Sequence, residues 1–585
     1  MLSQSLKDQI IRQLMADIQT PGQYIGGELN AVARDHGSVR GSLCLAFPDT
    51  YSIGMSCHGL QVLYGVMNRR DDWACERVFA PLGDMEQMLR REGLPLASLE
   101  TFTPLDKFDV VGFTLQYELC GTNVLTMLDL GRIPLHVEDR TEAHPLVIAG
   151  GPYAATPEPL APFIDLFVIG DGEEMLPRVC EAWLEQKALG RSREEALAAT
   201  AAELPHIYVP RFYEPDARTG RPRPTRPGLA ERIEPAVVAD LDATPLPCRP
   251  VVPNVETVHD RIAIEIMRGC PWQCRFCQSS PAKRPVRFRR VETIVEAALQ
   301  SYRNTGYNEI SLLSLSTSDY PHLAELLTAL QAMFRPKGVS IAVPSLRVNE
   351  QLQMLGELLN TDRRGGVTIA PEAARDEMRR RIGKRITNDD LYEGCRQLFA
   401  KGFDRVKLYF MCGLPGETED DLAGILEMAE TISRLGREVS GRLAQVTASV
   451  SNFVPKPHTP LQFGPMQSRD YFRKAHRFLF DCKRLRSVQV KRHDLECSLL
   501  EGVLGRGDRR VGRALETVWR RGARFDAWHE HLDVEGWWKA LGEAGVDVDA
   551  VLHRARSTDE PLPWDHVGIR QGRDHLVEQW NKANR

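Results

Sequence analysis

The chain has no run of ~20 apolar residues, so nothing in it reads as a membrane span. It has no leader-like start. Leu6, Ile10, Leu14 and Ile18 recur every fourth residue between Met1 and Ile18, which predicts an amphipathic helix rather than a signal peptide. It has no excess of one charge. The 585 residues carry 74 basic and 79 acidic side chains, net −5, and that balance gives no global argument for nucleic acid or a membrane surface. It has no paired cysteine framework either. The 13 cysteines are scattered, and without a secretion signal they are expected to be reduced, in the cytoplasm. At ~150 residues per domain, the length allows about two to four domains.

What is present centres on residues 268–280, Arg268-Gly-Cys270-Pro-Trp-Gln-Cys274-Arg-Phe-Cys277-Gln-Ser-Ser280. A predicted strand at 263–267 runs into it, and Gly269 and Pro271 force a loop. Three thiols spaced C-x3-C-x2-C can converge on one metal centre. An iron–sulfur cluster, a zinc ion and plain packing are all compatible with the spacing. Zinc would need a fourth ligand, for which Cys248 and His259 are the nearest upstream residues.

Upstream, apolar runs at 43–47, 76–79, 110–115, 146–149 and 166–169 alternate with helical patterns, which predicts a parallel sheet covered by helices. Loops rich in small residues follow the first, fourth and fifth runs. They contain Gly54 and Ser56, then Gly150 and Gly151, then Gly170, Gly172 and Glu173. Ligands bind outside the carboxyl ends of the strands in such sheets, so these loops are the candidate ligand edge. Residues 191–260 become Pro- and Arg-rich, with one predicted strand at 207–209, and read as an arm between domains.

From 261 to 460 strands are predicted at 263–267, 309–313, 339–343, 366–369, 405–410 and 445–450, with helices between them. Six βα units predict an incomplete α/β barrel, whose strand ends carry the chemistry. The candidates there are Ser314 and Ser316, then Ser345 and Arg347, Glu372, Arg379 with Lys384, Gly413 and Gly416, and Lys456. Glu372 is the strongest, because a carboxylate at a strand end can accept hydrogen bonds from a ribose or pair with a cation. A helix N-terminal charge is its structural alternative. Residues 461–585 read as helical. Arginines at 506, 509, 510, 513, 520, 521 and 524 precede Trp528, Trp537, Trp538 and Trp564. Such a mixture can bind RNA, but a charged helix paired with its own acidic residues is the preferred reading.

The cysteine loop, with the aromatic Phe276 before its last cysteine, closely resembles that of the radical S-adenosylmethionine (SAM) enzymes. The resemblance implies that Cys270, Cys274 and Cys277 ligate a 4Fe–4S cluster. Its fourth iron would bind SAM, with Phe276, Ser314, Ser316, Glu372, Arg379, Gly413 and Gly416 as cofactor contacts. The family's Gly-Gly-Glu is replaced here by hydroxyl residues. Gly-Gly-Pro, a proline-rich stretch and Gly-x-Gly-Glu resemble the cobalamin-binding domain that precedes many such cores. The D-x-H-x-x-G motif with the lower cobalt ligand is missing. His58 is the one histidine in a suitable loop, and a histidine opening a helix reads first as a capping or surface residue. Arg506-Gly-Asp-Arg-Arg510 and Leu562-Pro-Trp-Asp-His566 resemble an uncharacterised cobalamin-domain subgroup of the family.

The expected architecture is therefore α/β throughout. An N-terminal helical segment (1–34) leads to a flavodoxin-like, Rossmann-like cobalamin-type domain (35–190). A connector (191–260), a partial (β/α)6 TIM-type radical SAM core (261–460) and a helical C-terminal region (461–585) follow. The implied reaction is reductive cleavage of SAM to a 5′-deoxyadenosyl radical, used for cobalamin-dependent C-methylation of an unknown substrate and supplied with electrons by a flavodoxin or ferredoxin. Binding of cobalamin with no nitrogen ligand below the cobalt, through Gly54, Gly150, Gly151, Gly170 and Gly172, is part of that expectation. Two rivals stand beside it. One is a methylthiotransferase acting on tRNA or protein, with a second cluster held by N-terminal cysteines among Cys44, Cys57, Cys75 and Cys120. The other is a non-enzymatic RNA-binding or scaffold protein with a structural metal site.

Overall fold

The computed structural model describes residues 2–344 and 366–584. An amphipathic helix at Leu2–Asp17 lays Ile10 against the first domain. That domain is built on strands β1 (Gly41–Phe47), β2 (Trp73–Phe79), β3 (Val110–Thr114), β4 (Leu146–Gly150), β5 (Leu166–Val168) and β6 (Ile207–Tyr208). Their order in the sheet is β2-β1-β3-β4-β5-β6. The first five are parallel and follow the flavodoxin order, while β6 closes the edge antiparallel to β5. Every residue of β1, β2 and β3 is buried, as a sheet with helices on both faces requires. The strand expected inside the connector is thus the sixth strand of this sheet.

The connector carries a short hairpin, β7 (Tyr213–Pro215) and β8 (Pro222–Pro224). It then runs along the first domain, where Ala236 bridges Gly170, and reaches the second. There β9 (Ile262–Glu265), β10 (Met267–Arg268), β11 (Arg287–Phe288), β12 (Glu309–Leu313) and β13 (Ser340–Ala342) come first. They are followed by β14 (Val367–Glu372), β15 (Arg405–Cys412), β16 (Gln445–Asn452) and β17 (Val488–Arg492). Two parallel sheets result among the described residues, β13-β12-β9 and β14-β15-β16-β17, with helices packed outside. Their burial alternates. Ile264, Ile310 and Leu312 face the helices, while Ala263, Ser311 and Ala342 line a cavity on the other side. Ser345 and Arg347 lie outside the described residues.

Among the described residues the partial barrel holds seven parallel strands rather than six, because β17 pairs with β16 inside the region expected to be wholly helical. Beyond β17 the chain is helical and packs back on the first domain. Trp519 Nε1 donates to Thr126 Oγ1 at 3.0 Å, and Thr122 Oγ1 to Asp526 at 2.6 Å. The two C-terminal motifs meet at one buried carboxylate of the first domain, Glu158. It accepts from Tyr208 at 2.6 Å and from Arg509 at 3.0 Å, and His566 Nε2 lies 3.7 Å away. Arg510, Arg520, Arg521 and Arg524 pair with Asp508, Glu516, Glu543 and Glu86. Most of the basic stretch is therefore spent on intramolecular ion pairs. No helix of the described residues is long and apolar enough to cross a membrane.

Candidate functional site

The cysteine loop begins where β10 ends. Gly269 has φ +89°, and a Cβ there would lie 2.7 Å from the Lys283 carbonyl oxygen, so only glycine lets the loop turn so tightly. Three barrel strand ends then hold the loop. After β12, Asp319 accepts from Trp272 Nε1 at 2.6 Å. After β14, Ile382 O accepts from the Arg275 amide at 2.8 Å. After β16, the Leu461 amide donates to Arg275 O at 3.2 Å. Phe276 packs on an apolar cluster that includes Met378, Ile382, Leu414 and Leu461. Cys270, Cys274 and Cys277 are half-buried and form no disulfide.

Three thiols within eight residues are the donor set of a three-cysteine cluster site. A four-iron cube takes one thiolate per iron, so its ligands need not close on a single point. A tetrahedral zinc site does need that. Among the described residues no three His, Cys, Asp or Glu side chains close on one ion. His259 instead sits 2.8 Å from the Arg261 guanidinium, and Cys248 packs against the apolar cluster around β9 and β12.

The other strand ends divide sharply. Glu372 has φ +69°, left-handed backbone at an irregularity of the β14–β15 pairing. Non-glycine residues held there store strain, and such outliers cluster at ligand sites. Its carboxyl is raised by burial, against the pull of Lys384 at 3.4 Å. Arg379 is a correction. Its fully buried guanidinium donates to the carbonyls of Ile386, Ala373 and Ala374 and pairs with Asp376, so it clamps the chain after β14 and leaves nothing for a ligand. Ser316 Oγ is bound to Asp319, the residue that holds Trp272, so Ser316 positions the loop. Gly413 and Gly416 have positive φ, and side chains there would meet Phe472 and Arg381, so both serve internal packing. Lys456 is committed to Glu118 and Glu501.

A cavity of about 410 Å³ lies between the two domains, beside the start of the cysteine loop. Leu45, Phe113, Ile148 and Val168, at the carboxyl ends of β1, β3, β4 and β5, form its floor, and Met267, Arg268 and Ser314 face them from the barrel. Gly150, Gly151, Gly170, Gly172 and Glu173 also line it. A Cβ on Gly150 would stand 3.7 Å from Val168 O, an ordinary van der Waals contact, so a small side chain would fit there. The reason expected for two other glycines is corrected. Side chains on Gly151 and Gly170 would strike the carbonyls of Leu115 (2.5 Å) and Ala236 (2.3 Å), so they serve close backbone packing before any ligand. Gly54 lines neither this cavity nor the next, and is packed on Phe79 and Phe47. Ser56 lines a second cavity, of about 650 Å³, on the inner face of β9, β12 and β13. His58, Leu313 and Ser314 border both cavities. His58 is therefore no surface cap. Its Nε2 is buried without a hydrogen-bond partner, and burial lowers its pKa, which keeps the ring neutral.

The rim of the first cavity is an ion network that sequence reasoning missed. Arg268 pairs with Asp171, Glu173 and Glu265, and Asp171 also pairs with Arg287 at 2.7 Å and Lys283 at 3.4 Å. Glu173 is thus occupied by Arg268. The Gly-x-Gly-Glu motif latches the first domain to the strand that carries the cysteines. Cys44, Cys75 and Cys120 are core residues whose thiols burial pushes up, and Cys57, half-buried at the start of the helix His58–Asn68, is pushed up in the same direction.

Residues 264–429 match the radical SAM superfamily, and residues 59–210 match the N-terminal domain of radical SAM proteins. An uncharacterized protein of Methanocaldococcus jannaschii is 24% identical over 481 residues, 81% of this chain and 90% of that one. The ribosomal protein uS12 methylthiotransferase RimO of Microcystis aeruginosa is 28% identical over 191 residues, 31% of this chain and 43% of RimO. Among solved structures, the radical SAM methyltransferase TsrM of Kitasatospora setae, with cobalamin and a 4Fe–4S cluster bound, aligns over 73% of this chain and 77% of its own. Its TM-score is 0.49 at 17% identity. The cobalamin-dependent SAM radical enzyme OxsB, with aqua-cobalamin and SAM bound, aligns over 93% of this chain and 79% of its own, with a TM-score of 0.47 at 12% identity. With both of its α/β domains matched by family models of these proteins, the chain belongs to the radical SAM superfamily.

Proposed function

We propose that this radical SAM enzyme binds cobalamin in the cavity between its domains and transfers a methyl group to carbon. The observation that carries the reading is the cavity itself. It joins the carboxyl edge of a flavodoxin-order sheet to the barrel mouth beside the cysteine loop. Its apolar floor suits a flat ring. When bound, the cluster and SAM supply a 5′-deoxyadenosyl radical, and methyl-cobalamin supplies a transferable methyl group.

The chain's own residues do the rest. Cys270, Cys274 and Cys277 hold the cluster. Glu372, strained at a strand end, holds a polar group of SAM. The Asp171–Arg268 network closes the rim and keeps water from the radical. Glu372→Gln is expected to weaken SAM binding about tenfold or more, the worth of one charged hydrogen bond, with iron content unchanged. Calorimetric titration of SAM into the anaerobic protein measures this.

Cobalamin is tested by adding hydroxocobalamin during reconstitution, removing the excess, and recording absorption and EPR spectra. Stoichiometric retention supports the reading, and failure to retain any cobalamin removes it. The missing D-x-H-x-x-G motif leads to a Co(II) signal without nitrogen splitting. Splitting that disappears in His58→Ala would instead assign His58 as the lower ligand. The likeness to RimO favours methylthio transfer as a second reading, which needs a second cluster, and of the four first-domain cysteines named for it Cys44, Cys75 and Cys120 are packed in the core and Cys57 is half-buried.

A further inference from the structure

Resting on the methyl-transfer reading for the reaction but not for the binding, we infer that the second cavity is the substrate site. It takes an uncharged, largely apolar molecule whose hydroxyl or amide N–H donates to His58 Nε2. The cavity measures about 650 Å³, within the ~300–1,000 Å³ range of small-molecule sites. Ala263, Ser311 and Ala342 of the barrel form one wall, and Pro247, Pro250 and Pro253 of the connector belong to the others.

The buried nitrogen of His58 is the observation that points to a ligand. Buried polar atoms in folded proteins almost always have a partner, because an unpaired one gives up its hydration and gains nothing in return. His58 Nε2 has none. The charged groups around the ring are already engaged. Glu265 and Glu173 pair with Arg268, and Arg289 donates to the carbonyls of Leu241 and Thr244. A neutral imidazole has one bare nitrogen that accepts and one N–H that donates, and the bare nitrogen is assigned to Nε2. His58, Leu313 and Ser314 are shared by the two cavities, so a molecule seated in the second reaches the first past them. A hydrogen bond at His58 therefore fixes which part of that molecule faces the proposed methyl donor, and makes His58 a specificity-determining residue.

The rest of the lining sets the class of molecule. Among the described residues that line the cavity there is no Asp, Glu or Lys. Its one guanidinium, that of Arg261, pairs with Glu309 at 2.8 Å and meets His259 Nδ1 at 2.8 Å. The Gln61 amide is bound at both ends by the Val251 backbone, at 3.1 and 3.4 Å. A charged group entering here would lose its hydration and find no free counter-charge. That argues against a nucleotide phosphate as strongly as against an ammonium group. Val251, Ile262, Leu313 and Val343 supply apolar contact instead.

The test uses the whole protein, reconstituted with its cluster and with hydroxocobalamin, and equilibrium dialysis of three probes of one shape: 2-naphthol, 2-methoxynaphthalene and 2-naphthoate. The naphthol should bind about tenfold more tightly than the ether, which has no hydrogen to donate, and about tenfold more tightly than the anionic naphthoate. His58→Phe should abolish the advantage of the naphthol over the ether. His58→Gln, whose amide oxygen accepts, should restore part of it. Ala263→Leu fills the cavity from the β9 wall and should weaken both neutral probes, with iron and cobalt content unchanged. No saturable naphthol binding, or equal affinity of wild type for the naphthol and the ether, overturns the inference, the second because solvent would then serve the nitrogen. Binding that Ala263→Leu leaves untouched lies elsewhere and overturns it too. So does nitrogen splitting of the Co(II) signal that disappears in His58→Phe, which would give Nε2 to cobalt. Failure to retain cobalamin is read separately, from cobalt content. It removes the methyl-transfer reading and leaves the dialysis comparison to decide what the cavity binds.

Discussion

Protein reconstituted under anaerobic conditions is expected to hold about four iron and four sulfide, and replacing Cys270, Cys274 and Cys277 together by alanine should abolish the brown colour and SAM cleavage completely. The effect is all-or-none because the thiolates are the only protein ligands in the proposed site. The variant should still fold. The loop is anchored by backbone bonds and by the side chains of Trp272, Arg275 and Phe276, which the substitutions leave in place. Its far-ultraviolet circular dichroism should match that of the apo wild type. Zinc in protein purified under strict anaerobiosis, with no cluster after reconstitution, would defeat the assignment. About eight irons would point to methylthio transfer and to cysteine ligands in the first domain that the present packing does not offer.

The second large effect is expected at Asp171→Asn. The Asp171 carboxyl is nearly buried, and it faces Arg268, Lys283 and Arg287 across the domain junction. Burial opposes its charge, but Lys283, Arg268 and Arg287 win and hold its pKa at about 2. Asparagine leaves the buried Arg287 without its counter-charge, while Arg268 keeps Glu173 and Glu265 and Lys283 reaches solvent, and breaking a buried pair in this way costs about 3–5 kcal/mol. The first domain and the barrel should then come apart more readily. Thermal unfolding should show an earlier or split transition, and protease should cut sooner in the connector between Thr225 and Asp260.

The pH dependence has a definite sign. A carboxyl whose folded pKa lies below its unfolded value of about 3.9 contributes stability above that value and loses it as pH falls towards about 2. Wild type should therefore lose junction stability from about pH 4 downwards, and Asp171→Asn should show a flatter profile over that window. An unchanged transition in the variant at neutral pH would show that the apolar contacts of the junction, not the ion network, hold the domains together.

The local elements were legible wherever one physical signal dominated. β1 to β5 are buried on both faces, so their apolar runs stood out, and the strands of the barrel were found by their alternation with helical patterns. The motif at 270–277 was legible because thiol spacing within one loop is a local property. β17 was missed although Val488 and Val490 alternate with polar residues, because five residues beside long helical patterns carry too weak a period. β6 was seen but assigned to the connector, since pairing partners are not written in a strand's own sequence.

The site residues divide in the same way. Glycines at strand ends were visible, but whether the missing side chain makes room for a ligand or for another stretch of backbone depends on what packs opposite. For Gly151 and Gly170 that is Leu115 and Ala236, the second of them 66 residues away. Arg379 was read as a candidate clamp because a charge near a strand end has no visible partners in sequence, and folding gives it three carbonyls and Asp376. The C-terminal arginines were read correctly in kind, as paired charges, yet Glu86, Glu158 and Glu543 could not be named as partners.

What the sequence by itself determined is the set of properties that reside within one turn or one loop. These are the three-thiol donor set, the helix and strand periods, and the lack of a membrane-spanning run. The tertiary structure alone decided what those pieces face. It set the carboxyl edge of the first sheet against the barrel mouth, put His58 at the meeting of two cavities, and spent Asp171 and Glu173 on Arg268. The physical reason is that a charge or a glycine takes its role from whatever lies within a few ångströms of it, and those neighbours come from segments about a hundred residues apart in the chain.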